Sequence, residues 1–259
     1  MHILTTCFIT LFASSTCFAT TWIVDTLNGD FTNIQNAIDA SANGDIVSIN
    51  AGTYYESGIN TNGKAIFIFG ATNADGSPAV TIDGQQNNTV IKIMSGESTM
   101  TVLENLIITG GQSAWGGGLV IYGSSPVITN CEFTGNTATQ QGGAIYFDSA
   151  TPTLGNCTIS NNTATNDGGG MYSVLGQAHI TDCTFDSNTS GSVGGGAFFE
   201  SATDMLAGCT FTSNTAGTDG GGLYSLGGGI MVISCTSSGN SANDVGGGMY
   251  SGSGDSFLI

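Results

Sequence analysis

The chain has 259 residues, among them 41 glycines and only two lysines with no arginine, and its formal net charge is −17. A surface so poor in cations cannot neutralise phosphates, which excludes nucleic acid and disfavours anionic lipid headgroups as partners. Only 8% of the residues are charged and 40% are hydrophobic, which excludes a disordered acidic tail as well. Divalent cations and neutral glycans suit this surface better.

The first 19 residues have the pattern of a secretory signal peptide. They contain an apolar run of suitable length, and small residues precede a cleavage position after Ala19. A membrane anchor is the alternative, but Thr, Ser and Cys interrupt the run well short of the ~20 apolar residues that span a bilayer. We therefore expect a secreted, extracellular protein or one on the cell outer membrane surface, with membrane contact only through display or through a further C-terminal region.

Residues 20–60 predict an N-terminal cap followed by the first strands. Ile34, Ala37, Ile38 and Ser41 trace one face of a short amphipathic helix, and the segment DIVSI that follows has the composition of a strand. Because a solenoid needs a cap over its first open coil, we expect this helix to cover that end.

Cysteines outside the first 19 residues recur every 26 positions, and an asparagine follows each of them by five. The cysteines are Cys131, Cys157, Cys183, Cys209 and Cys235, and the asparagines are Asn136, Asn162, Asn188, Asn214 and Asn240. Glycine clusters between Gly116 and Gly246 keep the same step. A fixed period of this length indicates a solenoid, whose regular repeats occupy residues 105–251.

The kind of solenoid follows from the rest of each repeat. Leu154, Cys157, Ile159 and Asn162 match the spacing of a leucine-rich repeat, but glycine and β-formers stand where that fold has its helical return. A coil of 26 residues holds three short strands at ~3.3 Å per residue. The predicted fold is all-β, a right-handed single-stranded parallel β-helix over residues 61–259 with a short N-terminal capping helix. Since the sequence stops in mid-coil, we expect a truncated C-terminal end.

Equivalent residues of stacked coils form columns, which strand alternation assigns to the inside or the outside. Two columns are predicted to face inward: Ile128, Leu154, Ile180, Leu206 and Val232, and Phe133, Ile159, Phe185, Phe211 and Ser237. The cysteines are interpreted as buried, inert fillers rather than as metal ligands or a redox centre. The asparagines are expected to hydrogen-bond one another between coils at a bend, and the glycines to form a corner with positive φ.

The repeats CEFTGNTATQQGGAIYF and CTFTSNTAGTDGGGLYS resemble the repeat of chlamydial-type polymorphic outer membrane proteins. Phe133-x-x-Asn136 and Gly142-Gly143-Ala144-Ile145 carry the two motifs of that family, while other repeats have Ile159 or Ser237 in place of Phe. The resemblance implies a surface-exposed or secreted passenger, often an adhesin. Residues 30–59 separately resemble the opening of pectin-lyase-like β-helix proteins, a fold that hosts polysaccharide lyases, glycosidases and many non-enzymes.

Candidate catalytic groups are sparse. Lys64 and Lys92 are the two cations, and Lys92 alternates with isoleucines on a strand, which predicts a solvent-facing side chain. His179 stands in a column with apolar residues and Thr153. Asp167 and Asp219 share a turn position two coils apart, about the spacing of a glycosidase pair, but Val193 lies between them. We expect no catalytic residue, metal or cofactor, with calcium on these turns as the alternative.

An aromatic column and a threonine column are candidate surfaces. The aromatic column is Tyr146, Tyr172, Phe198, Tyr224 and Tyr250, and it alternates with Ile145, Met171, Ala197, Leu223 and Met249. If the aliphatic side chains face inward, the rings form an exposed strip for sugars or a protein partner; the reverse parity would bury the rings. Thr158, Thr184, Thr210 and Thr236 suggest an ice-binding face, which Glu132 and Asp186 interrupt, and ordinary strand propensity explains them as well.

Taken together, these features predict a secreted or cell-surface β-helix that is not an enzyme and that recognises a glycan or a cell-surface protein. The alternative is a polysaccharide-binding or polysaccharide-degrading protein of the pectin-lyase-like type, or a fragment of one.

Overall fold

The computed structural model describes residues 19–252; the predicted signal peptide lies outside this range except for Ala19, as do residues 253–259 of the predicted β-helix. The chain winds into a parallel β-helix whose strands form four stacked sheets. Strands pair in parallel with their equivalents in the adjacent coils, as the sequence predicted, and the strands at the two ends of each sheet pair on one side only.

Three sheets form the body of the coil, and we call them faces A, B and C. Face A consists of Thr21–Val24, Ile46–Ile49, Phe67–Gly70, Val102–Glu104, Val127–Thr129, Thr153–Gly155, His179–Thr181, Met205–Ala207 and Met231–Ile233. Face B consists of Gly52–Tyr55, Val80–Asp83, Leu106–Thr109, Glu132–Thr134, Thr158–Ser160, Thr184–Asp186, Thr210–Thr212 and Thr236–Ser238. Face C consists of Ile59–Asn60, Ile91–Ile93, Leu119–Tyr122, Ile145–Asp148, Met171–Val174, Ala197–Glu200, Leu223–Leu226 and Met249–Ser251.

A fourth sheet lies between faces B and C in the order of each coil, and we call it the wall. Its strands are Gln112–Trp115, Thr137–Gln141, Thr163–Ala164, Thr189–Ser190, Thr215–Ala216 and Ser241–Ala242. The sequence predicted three strands per coil, so the wall is a strand more than was expected.

The helix Ile34–Ala40 packs against the first strands of faces A and C. Asn33 caps its start by accepting a hydrogen bond from the Asn36 backbone N–H. At the other end, the Lys64 ammonium donates to the carbonyl oxygens of Ile38 and Asp39, at 2.7 and 2.8 Å, where a cation is favoured by the helix dipole. Ile34, Ala37 and Ile38 are buried in the core, so the helix covers the first coil as expected.

Columns of apolar side chains fill the inside of the coil. The column from Ile128 to Val232 is at most 3% exposed, and Phe185 stacks on Phe211 with 4.7 Å between ring centroids. Ser237, in the last described coil, is exposed. Each buried apolar side chain contributes about 1.5–3 kcal/mol, which offsets the ordering cost of a glycine-rich chain.

The asparagines lie in a continuous hydrogen-bonded ladder at the bend between face B and the wall. In the first four rungs the Nδ2 amide donates both to the Oδ1 of the next asparagine and to a strand carbonyl of the preceding coil; for Asn162 these acceptors are Asn188 and Phe133, both at 2.9 Å. The backbone N–H of each of these four rungs donates to the same Oδ1. Because buried polar groups must be paired, the ladder satisfies groups that would otherwise destabilise the bend.

The first two glycines of each cluster are required for different structural reasons. The first adopts a left-handed conformation, with φ of +64° at Gly168, which side chains rarely tolerate. The second allows the coils to touch, since a Cβ on Gly169 would lie 2.4 Å from the carbonyl oxygen of Gly195. A 26-residue coil therefore closes around a corner that only glycine fits.

The five cysteines of the repeats are free thiols, and all except the half-buried Cys235 are buried. Their sulfurs contact backbone carbonyls, as Cys157 Sγ does with the Gly155 oxygen at 3.4 Å. Burial raises the pKa of Cys131 to about 12, which keeps the thiol protonated and unreactive.

Candidate functional site

The aromatic column stands on the outer side of face C and forms a stack of rings. The aliphatic residues between them, such as Ile145 and Met171, are fully buried in the core, so strand alternation points the rings outward. Ring centroids lie 5.0–5.5 Å apart from Tyr146 through to Tyr250. The aliphatic side chains therefore face inward and the rings outward, which is the first of the two arrangements that the sequence allowed.

The middle of this column is nevertheless covered, so the expectation of an exposed strip is wrong there. Tyr172 and Phe198 are only 3% and 4% exposed. Each ring is enclosed by the rings of the neighbouring coils and by the glycine corner, where a Cβ on Gly194 would lie 2.8 Å from the Cβ of Phe198. The Tyr172 hydroxyl donates to the Glu200 carboxylate, and burial together with this contact raises the Tyr172 pKa. Tyr146, Tyr224 and Tyr250 are half-buried.

A cleft opens where the stack of rings ends. The register partner of Tyr146 in the preceding coil is Val120, and that of Val120 is Lys92. Because valine is smaller than an aromatic ring, the space between face C and the wall is left open and forms a cleft of about 510 Å³. The cleft is lined by Thr89, Lys92, Met94, Ser113, Trp115, Val120, Tyr122, Tyr146 and Asp148.

Trp115 forms the wall side of this cleft. The pairing of Gln112–Trp115 with Thr137–Gln141 shifts register between Ser113 and Trp115, a β-bulge, and bulges redirect the side chains that follow them. The indole ring lies 6.3 Å from the Tyr146 ring and is 47% exposed. Tyr122 on the opposite side is 51% exposed. Two accessible aromatic rings thus flank the same concave site.

Polar groups of both signs complete the cleft. Of the described residues that line it, Lys92 is the one cation and Asp148 the one carboxylate. The Asp148 Oδ1 accepts a hydrogen bond from the Ser149 hydroxyl at 2.8 Å. Burial, followed by the charges of Asp148 and Glu200, raises the pKa of Tyr146 to about 12, so its hydroxyl stays protonated and can donate. Rings flanked by a few fixed polar groups are the usual composition of a small-molecule or sugar site.

The other candidates from the sequence lie elsewhere. His179 is exposed on face A, and Lys64 is engaged at the helix end. Asp167 and Asp219 accept hydrogen bonds from the backbone N–H groups of Val193 and Val245, each in the coil that follows. Within residues 19–252, no group of three or more His, Cys, Asp or Glu side chains is placed to hold a metal ion. In the same range, no helix is both long and apolar enough to cross a membrane.

The threonine column lies on the outer side of face B. Glu132 occupies the same register position as Thr158, and Asp186 occupies that of Ser160 in the neighbouring column. The Thr210 and Thr236 hydroxyls lie 3.1 Å apart, as equivalent side chains of adjacent coils must. An ice-binding role for this face stays a prediction.

Four residues of the cleft were not predicted from the sequence, namely Trp115, Tyr122, Met94 and Asp148, and Lys92 was predicted only to face solvent. A signal for the cleft was present, because the aromatic column is interrupted at the position of Val120 just after the tryptophan in SAWGGG.

The fold and the cleft define a parallel β-helix with a concave aromatic site on one face. Residues 26–242 match the family described as right handed beta helix region, and the chain belongs to this family, which also confirms the handedness of the coil. Among solved structures, the pectin methylesterase from Aspergillus niger in its deglycosylated form is similar at a TM-score of 0.50 and 14% identity, over 91% of this chain and 89% of that one. A likeness at this identity shows a shared fold, the parallel β-helix. A search of curated proteins finds no match.

Proposed function

We propose that the protein is a secreted or cell-surface β-helix that binds glycans without modifying them, and that the cleft between face C and the wall is its binding site. The observation that carries this proposal is the pair of accessible rings, Trp115 and Tyr122, across a cleft that also holds Lys92 and Asp148. Sugar rings stack on aromatic faces through their C–H groups, while their hydroxyls pair with charged and polar side chains.

The resemblance of the repeats to those of chlamydial-type polymorphic outer membrane proteins supports a role in adhesion. The signal-peptide pattern in residues 1–19 supports export. An exported β-helix with a sugar-binding cleft would attach to the glycans of a surface or a host cell.

Polysaccharide modification is the second candidate function. The fold it shares with a pectin methylesterase and the carboxylate of Asp148 in the cleft favour it. It predicts release of methanol from methyl-esterified pectin, or of new reducing ends from a glycan panel, and loss of that release in Asp148→Asn. Binding without any such release favours recognition.

The intrinsic fluorescence of Trp115 offers a direct test. The sequence has two tryptophans, and Trp22→Phe leaves Trp115 as the single reporter. A glycan that enters the cleft should shift the emission wavelength of Trp115 and should protect this residue from quenching by acrylamide. In the background with both tryptophans, binding measured by calorimetry should be lost in Trp115→Ala.

Tyr55→Ala is the matched control, since Tyr55 is an exposed aromatic residue, 64% accessible, on face B. Equal loss of binding in Tyr55→Ala and Trp115→Ala, or binding that leaves Trp115 emission unchanged, would overturn the assignment of the cleft.

A further inference from the structure

A row of outward side chains runs from the cleft along the edge of face C and alternates between apolar and acidic residues. We call it the rim row: Tyr122, Asp148, Val174, Glu200 and Leu226 share one register position in five successive coils. Tyr122 and Leu226 are exposed, and the three between them are half-exposed. Apolar side chains therefore recur at every second coil, with a carboxylate in each coil between.

The turn beside the rim row contains a residue that strains the backbone. The next position in each coil is Gly123, Ser149, Leu175, Ser201 and Gly227, and all five adopt positive φ. Leu175, at φ +53°, is the one bulky member of this column, and its side chain is 58% exposed. Bulky residues rarely take this conformation, and stability would favour the serine or glycine of the neighbouring coils. A strained and exposed leucine indicates a contact surface.

The spacing of the row discriminates between classes of ligand. Strands of adjacent coils lie ~4.8 Å apart, so like side chains of the rim row recur about every 10 Å. An extended peptide repeats its side-chain direction every ~7 Å and falls out of register with the row. In an extended β-1,4-linked glycan each sugar is turned over relative to the last, and the same face recurs once per disaccharide, at about the spacing of two coils.

Charge restricts the ligand further. Asp148 and Glu200 accept hydrogen bonds from hydroxyl groups but repel carboxylates and sulfates, and the protein as a whole carries −17. A neutral chain is therefore favoured over an acidic one along the row.

We infer that the rim row, with Leu175, holds a neutral, extended β-1,4-linked glycan that leaves the cleft and lies along the axis of the β-helix. The inference rests on the proposed function of the cleft. Apolar faces of alternate sugars contact Tyr122, Val174 with Leu175, and Leu226, while hydroxyls of the sugars between them donate to the carboxylates.

Calorimetry with β-1,4-linked cello- and chito-oligosaccharides of two, four and six sugars tests the inference, against α-1,4-linked malto-oligosaccharides of equal length. Affinity should rise roughly tenfold from two to six sugars for the β-linked series and stay nearly constant for the α-linked series, since only the former adds contacts along the row. Leu175→Ser should remove most of the gain with length and leave disaccharide binding unchanged. This variant carries the serine of two neighbouring coils, so it should fold at least as stably.

Leu27→Ser is the control, because Leu27 is an exposed leucine remote from face C along the sequence, 83% accessible. Disaccharide binding that depends on Trp115 but does not strengthen with length would overturn the rim row and leave the cleft intact. Equal gains for α- and β-linked series would also overturn it. If no sugar in the panel binds, both the proposed glycan binding at the cleft and the role of the rim row would be refuted, and a protein ligand would be favoured.

Discussion

Removal of one rung from the asparagine ladder should destabilise the fold far more than an average polar substitution. Asn188 is fully buried, and its side chain makes four ladder hydrogen bonds. Its Oδ1 accepts from the backbone N–H and the Nδ2 of Asn162, at 3.1 and 2.9 Å, and its Nδ2 donates to the Ile159 oxygen and the Asn214 Oδ1, at 2.8 and 3.0 Å. Asn188→Ala leaves the backbone N–H of Asn162 in a buried site without an acceptor. It also removes one hydrogen bond each from the Asn162 Nδ2, the Ile159 oxygen and the Asn214 Oδ1.

An orphaned buried donor costs about 1–3 kcal/mol and each lost bond less, so Asn188→Ala should lower the free energy of unfolding by about 3–5 kcal/mol. Urea denaturation followed by circular dichroism measures this change. Asn240→Ala is the matched control, because Asn240 is half-exposed and water can replace its bonds, so about 1 kcal/mol is expected. A loss below 1 kcal/mol at position 188, or equal losses at both positions, would refute the reasoning.

Three further predictions concern charge and close packing. Burial opposes ionisation of Glu97, but hydrogen bonds from Thr61 and from the Ser95 and Gly63 backbone lower its pKa overall. The ionised carboxylate therefore stabilises the fold above the unfolded pKa of about 4.3, and this stabilisation is lost as the pH falls through the lower folded pKa. Glu97→Gln should flatten the acid side of a curve of Tm against pH. Burial raises the pKa of Asp204 to about 6, so the folded state binds this proton more tightly than the unfolded state, and stability falls as the pH rises from about 4 to about 6. Asp204→Asn should abolish this pH dependence and add about 3 kcal/mol to the free energy of unfolding at pH 7, measured by denaturant titration. A variant less stable than the parent at pH 7 would contradict this prediction. Gly169→Ala should prevent folding or cost at least about 3 kcal/mol through backbone clashes, whereas Gly229→Ala, with open space around its Cβ, should change the melting temperature little.

The period of 26 predicted a solenoid, because a repeat constrains every coil at once, and the glycines and β-formers within each repeat indicated a parallel β-helix. Strand alternation placed the Ile128 column and the phenylalanines of face B inside, and the structure agrees. The same rule placed the rings of face C outside, which is where they point. It allows only two environments, inside and outside, whereas the outward rings of Tyr172 and Phe198 are buried by the rings of the neighbouring coils and by the glycine corner. Burial of Tyr172 and Phe198 therefore could not be derived from alternation alone.

The cleft depended on two local events that a repeat pattern averages away. One is the end of the aromatic column, where Val120 and then Lys92 take the place of a ring, and the other is the bulge that turns Trp115 over the gap. Both departures from the repeat lie at the cleft, so in this chain the irregular coils, rather than the regular ones, indicate the candidate site.

The inner side of face C has its own alternation, with Phe147, Ser173, Phe199 and Ser225 in successive coils, and the segments FDSAT and FESAT recur 52 residues apart. A large ring in one coil thus fills the space beside a small hydroxyl in the next. The alternation ends at Ser225, whose partner in the next coil is Ser251. Loss of the coil that contains Ser173 would set Phe147 upon Phe199 and would place the carboxylates of Asp148 and Glu200 side by side. Within the coils from Phe147 to Ser225, lengthening or shortening of the β-helix, by evolution or by design, should therefore proceed in steps of two coils.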